Sequence, residues 1–142
     1  MTSRTEAKTL PPHTATGSGA QSLVGYRIDL TDPAGSTIVR LDVEAKHLNR
    51  NGTLQGGIHA MLLDAAAGFS ASRALGGQGD IVPVVTLTLT THFLAPVAAG
   101  EVVATGHVTG GGRKIIYADA EVRGPDGTLL SRASGVFKRT VL

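Results

Sequence analysis

The chain has 142 residues, of which 42% are apolar and 17% charged, enough for one domain with a buried core. Its 13 Lys and Arg against 11 Asp and Glu leave a net charge of +2, with no basic stripe and no interleaved aromatics, which argues against nucleic-acid binding. It has no cysteines, which excludes disulfides, thiolate metal sites and a cysteine nucleophile.

Residues 1–21 are rich in Thr, Ser, Ala, Pro and Gly and read as a loose tail, leaving residues 22–142 as a single domain. The tail has no apolar signal core, and no apolar run reaches the roughly 18 residues of a membrane span. A cytoplasmic protein without a membrane partner is therefore expected. From Tyr26 the pattern alternates: "YRIDL", a turn at "TDPAGS", then "TIVRLDVEA", with Ile38, Arg40 and Asp42 set against Val39, Leu41 and Val43. That is the pattern of a hairpin. "KHLNRNG" breaks it and reads as a loop.

From Gly57 to about Leu75 apolar residues occupy every side, over a length that suits a helix and not a strand. A helix apolar all round must be covered on most sides. Four strand-like segments follow: "IVPVVTLTLTTHFLAP", "GEVVATGHVTG", "KIIYADAEVRG" and "TLLSRASGVFKRTVL". In the first, Val85, Leu87 and Leu89 alternate with Thr86, Thr88 and Thr90. The connections are mostly short and rich in turn residues, which favours antiparallel neighbours. The expected fold is α+β: one long helix packed on a six-stranded antiparallel sheet.

Asp64 stands out within the helix, as the only charged residue between Arg50 and Arg73. A buried carboxylate needs a partner or a polar cavity. Upstream, Gly56–Gly57 opens the helix. Helix-start N–H groups lack helical partners and carry the positive end of the dipole, so they can polarise a carbonyl. A carboxylate on the same helix can serve as nucleophile or general base. The plainer reading is that the glycines merely start the helix. His13, His47, His59, His92 and His107 show no metal spacing, so no metal is expected. His59 lies in the buried-looking helix and reads as a packing or interface residue.

The stretch "NRNGTLQGGIHAMLLD" resembles the signature of hotdog-fold acyl-CoA thioesterases, in the branch of the phenylacetate-degradation (PaaI-type) thioesterases. That signature runs Asn-x-x-Gly-x-x-His-Gly-Gly, with an Asp or Glu about two helical turns later. The resemblance extends through "VTLTLTTHFLAPVAAGEVVATGHV" and "GGRKIIYADAEVRGPDGTLLSRASGVF", from Tyr26 to Phe137. It implies a hotdog fold, with the sheet wrapped around the helix, and hydrolysis of an acyl-CoA or aryl-CoA thioester to free acid and coenzyme A, without a cofactor. It also implies roles for matching residues. Asp64 is the catalytic carboxylate, the Gly56 N–H polarises the thioester carbonyl, Asn49 holds that carbonyl or the water, and Thr86 assists the water. Gln55 and Gly57 line the substrate site. Gly112, Arg113 and Lys114, in a turn, lie near the coenzyme A nucleotide. Members are dimers or dimers of dimers, the latter homotetramers, whose sites join the Asn and Gly–Gly end of one subunit to the carboxylate of its neighbour. The chain departs from the pattern at Gln55, where the family has His; Gln cannot carry a proton at neutral pH. That departure leaves a non-catalytic acyl-CoA binder as the alternative. A hydroxyacyl thioester dehydratase ranks lower, because the hydratase-type Asp-x-Asn-x-x-His motif is absent.

Overall fold

Turn chemistry and alternating apolar residues organise the sheet, and small residues decide how closely the helix approaches it. A computed structural model describes residues 17–77 and 79–140. The elements run α1 (Gly19–Val24), β1 (Arg27–Asp29), β2 (Thr37–Val43), a 3-10 turn (Ala45–His47), α2 (Gly56–Gly76), β3 (Val84–Phe93), β4 (Gly100–Gly111), β5 (Ile115–Arg123) and β6 (Leu129–Arg139). Residues 19–21, read as tail, instead begin α1; Ser18 caps it by accepting from the Gln21 N–H at 3.0 Å. Residues 1–16 of the expected tail lie outside the described residues.

The six strands form one antiparallel sheet in the order β1-β2-β4-β5-β6-β3. The β1–β2 hairpin is as expected, with Val39 and Leu41 buried against the helix. The last four strands differ from a run of hairpins. β3 does not pair with β4; it crosses to the far edge and pairs with β6. The 94–99 connection is held across the sheet end, where the Leu94 and Ala95 N–H groups both donate to the Leu130 carbonyl.

The alternation of β3 is also broken. The register shifts between Thr86 and Thr88, leaving Leu87 as a bulge. A bulge reverses which residues face inward. Leu89 therefore packs on the core, whereas Val85 and Leu87 are exposed and Thr86 turns toward α2.

The inward residues where the sheet meets the helix include Ala104, Gly106, Ala118, Ala120, Ala133 and Gly135, and α2 presents Ala66, Ala67 and Ala71. Small residues on both sides let helix and sheet backbones approach closely. At Gly106 a Cβ would sit 2.2 Å from the Ala66 carbonyl oxygen. Leu62, Leu63 and Phe137 fill the larger spaces. Along another stripe of α2, Met61, Asp64, Ala65 and Gly68 are half-buried, with Asp64 facing β3 and Gly68 facing Phe137 of β6. Among the described residues, no helix is long and apolar enough to cross a membrane.

Candidate active site

The loop before α2 is built by side chains that replace missing backbone partners. His47 is buried; its Nδ1 accepts from the Glu44 N–H at 2.9 Å, and its Nε2 lies 2.7 Å from the Val24 carbonyl oxygen, to which it donates. It thereby ties α1 to the loop. Asn49 does similar work: its Oδ1 accepts from the N–H groups of Asn51 and Thr53, at 2.9 and 3.1 Å. With the oxygen so engaged, the Asn49 amide nitrogen has no partner among the described residues.

This loop delivers the chain to the start of α2. Gln55 occupies the N-cap position without a side-chain cap bond, and its carbonyl accepts from Ile58 and His59. The Gly56 and Gly57 N–H groups have no partner among the described residues, as expected for a first helical turn. A pocket of about 340 Å³ opens there, lined by Asn49, Leu54, Gly56, His59, Phe93 and Leu94, among others. Gln55 and Gly57 are not part of its lining.

Asp64 lies further along the helix. The β3 bulge aims Thr86 at it, and Thr86 Oγ1 donates to Asp64 Oδ1 at 2.7 Å. Tyr26 is close enough to feel the carboxylate: burial raises the phenol pKa first, and the Asp64 charge raises it further, against a smaller opposing effect from a Ser18 hydrogen bond. A neutral phenol and a threonine hydroxyl thus stand near one carboxylate. The Asp64–Thr86 pair was expected only from the resemblance, and nothing in the sequence pointed to Tyr26.

Asp64 follows Gly56 by eight residues, about 12 Å along the helix axis. A carbonyl and the group that attacks it must be within about 3.5 Å. One copy of the chain therefore does not bring the Gly56 N–H and the Asp64 carboxylate to the same carbonyl. Gly112, Arg113 and Lys114 also lie away from the Gly56 pocket. The Lys114 carbonyl accepts from Arg139, which pairs with Val84, so the turn sits at the Thr86 end of the sheet. Arg113 and Lys114 are exposed cations, but the Gly112 N–H is bonded to the Ile115 carbonyl inside the turn. That bond leaves the Gly112 N–H engaged within its own turn rather than turned toward a phosphate.

Residues 51–131 match the thioesterase superfamily, more than half of the chain. The chain belongs to that superfamily. Its sheet wrapped on one long helix is the hotdog fold of that superfamily. A conserved Pseudomonas aeruginosa protein of known structure is 30% identical, with a TM-score of 0.74 over 87% of this chain and 94% of that one. The E. coli PaaI protein of the phenylacetic acid degradation operon is 25% identical, with a TM-score of 0.75 over 89% of this chain and 88% of its own. Mouse acyl-coenzyme A thioesterase 13 is 29% identical over 86 residues, 60% of this chain and 59% of that protein. A Caenorhabditis elegans protein, F42H10.6, is 31% identical over 99 residues, 69% of this chain and 55% of its own. The chain thus spans between half and two thirds of the length of these two curated relatives.

The superfamily match covers Gly56, Asp64 and Thr86 and begins just after Asn49. Two features of this superfamily member were not foreseen as parts of the site. His59 lines the Gly56 pocket, and Phe93 meets its ring edge-on at a centroid distance of 5.7 Å.

Proposed function

We propose that this chain hydrolyses an acyl-CoA or aryl-CoA thioester to the free acid and coenzyme A, as a PaaI-type member of its superfamily. The observation that carries the proposal is the Asp64–Thr86 pair, a half-buried carboxylate with one oxygen fixed by a hydroxyl. Asp64 Oδ2 is left to act on water or on the thioester carbon. As general base it takes a proton from water while the water oxygen bonds to the carbonyl carbon. The tetrahedral intermediate then collapses, the C–S bond breaks, and the proton ends on the thiolate of coenzyme A. As nucleophile it bonds to the carbonyl carbon and expels the coenzyme A thiolate, leaving a mixed anhydride that water opens to the free acid and the Asp64 carboxylate, with a water proton ending on the thiolate. After a single turnover in ¹⁸O-water, label in the Asp64 carboxylate would establish the anhydride route, with water opening it at the Asp64 carbon.

The carbonyl is held by the Gly56 N–H and by the free amide nitrogen of Asn49, beside Gln55 and Gly57. These groups belong to one subunit and Asp64 to its neighbour, in a dimer or dimer of dimers. The separation of about 12 Å along α2 supports this arrangement. So does β3, a ten-residue edge strand without Asp, Glu, Lys or Arg, with Val85, Leu87 and Phe93 exposed. Such an edge is a template for pairing. Two β3 strands paired antiparallel lay the Phe93 end of one copy, at the pocket, beside the Thr86 end of the other. Arg113 and Lys114 lie at that second end and are placed to meet coenzyme A phosphates. The chemistry draws on protein groups and water, in the cytoplasm.

The test is thiol release over a panel of phenylacetyl, benzoyl, straight-chain and hydroxylated acyl-CoA thioesters. Turnover of at least one member is expected. Binding of the panel without turnover would instead establish a non-catalytic acyl-CoA binder, the reading that Gln55 favours. Thr86→Ala removes one hydrogen bond to the carboxylate and is expected to lower kcat about tenfold with little change in KM. Unchanged kcat would contradict the role given to Thr86.

A further inference from the structure

His59 is a titratable group that the proposed reaction does not use. It is 4% exposed and sits in the first turn of α2. Its Nδ1 lies 2.8 Å from the Oγ of Ser131, which is itself fully buried. Ser131 has no other side-chain hydrogen bond among the described residues, so its hydroxyl proton has one acceptor, His59 Nδ1. That fixes the tautomer: Nδ1 accepts and Nε2 carries the hydrogen.

Nε2 makes no hydrogen bond among the described residues, yet no fully enclosed side-chain polar atom there lacks a partner. Nε2 therefore reaches open space, and the space that His59 lines is the Gly56 pocket. The Phe93 ring packs edge-on against the imidazole and holds its orientation. Burial also lowers the His59 pKa, which keeps the ring neutral at neutral pH. A neutral imidazole in a fixed tautomer is a donor that does not give up its proton.

We propose that His59 Nε2–H is a further donor to the substrate carbonyl, beside the Gly56 N–H, and that Ser131 is the residue that orients it. The inference rests on the thioesterase reading above. As water attacks, the carbonyl π pair moves onto oxygen, and His59 Nε2–H joins the Gly56 N–H and the Asn49 amide in holding that charge until the C–S bond breaks. Such a donor matters more in the transition state than in the bound substrate, so it acts on kcat more than on KM.

The experiment compares wild type, His59→Leu and His59→Gln on the acyl-CoA that wild type turns over fastest, with thermal unfolding of each. His59→Leu is expected to lower kcat about 100-fold with KM within about threefold. His59→Gln, whose amide can donate from a similar position, is expected to keep more of the rate. A folded His59→Leu with kcat within about threefold of wild type would overturn the inference while leaving the thioesterase reading intact. Wild type inactive on every thioester would remove the reaction, and this inference with it. A second readout needs no variant: the ¹⁵N-labelled ring of His59 should show an Nε2–H tautomer whose proton moves downfield when a ketone analogue of the acyl-CoA binds. An unmoved resonance at saturation would overturn the proposal.

Discussion

Replacing Asp64 by Asn is expected to reduce thioester turnover about 1,000-fold while leaving the fold intact. Asn keeps the size of Asp and its Oδ1 can still accept from Thr86 Oγ1, so the 2.7 Å contact survives. What it loses is the capacity to take a proton or attack carbon. Asp64 is also half-buried in the least covered stripe of α2, so removing its charge creates no unpaired buried group. Tm should therefore shift by no more than a few degrees, and CoA thioesters should still bind. The measurement is kcat for thiol release beside a thermal melt. An active Asp64→Asn protein would remove Asp64 from the chemistry. An inactive and unfolded one would show a structural role instead.

The largest effect on stability is expected at Gly106→Ala. Gly106 lies on β4 between Thr37 of β2 and Ala120 of β5, facing α2. An added Cβ would lie 2.2 Å from the Ala66 oxygen, 2.3 Å from its carbon and 2.8 Å from the Ala67 nitrogen. These are backbone atoms of the helix and cannot turn aside as a side chain would. The helix must lift off the sheet, opening space around Leu62, Leu63 and Phe137. A loss of about 3 kcal/mol or more follows, or roughly 10 °C in Tm. Gly19→Ala is the control: it lies in α1 with nothing within 4 Å of the new Cβ, and its Tm should stay close to that of wild type. Equal melting of the two variants would contradict the close helix–sheet approach described here.

Much of this architecture was legible because burial writes itself into local pattern. Val39 and Leu41 alternate with Arg40 and Asp42, and the strand faces inward where they say it does. The run from Gly57 to Leu75 is apolar on all sides, and it forms the central helix. What was not legible depends on distant partners. Pairing of β3 with β6 is set by residues 38 to 55 positions away, and the short 94–99 segment looks locally like any other turn. The Leu87 bulge leaves no mark in an unbroken Val/Thr/Leu alternation, yet it is what turns Thr86 toward Asp64. Asp64 announced itself as a lone charge in an apolar helix. His59 did not, because its meaning comes from Ser131, 72 residues later in the chain. The bond by which the Gly112 N–H closes its own turn was likewise not legible.

The central claim is that two copies of the chain share one site, and complementation between variants tests it most directly. Gly56→Pro deletes the N–H proposed to polarise the carbonyl. Proline is well tolerated at the first helical position, and the added ring would begin 3.5 Å from Phe93, an ordinary contact. Asp64→Asn deletes the carboxylate. Each variant alone should be nearly inactive. Co-assembled at random in a dimer, half the dimers are mixed and each has one site with both wild-type groups, so about a quarter of wild-type activity should return. Return of that activity is the predicted result. Mixed assemblies as inactive as their parents would place the carboxylate and the Gly56 N–H in the same subunit's site and contradict the account.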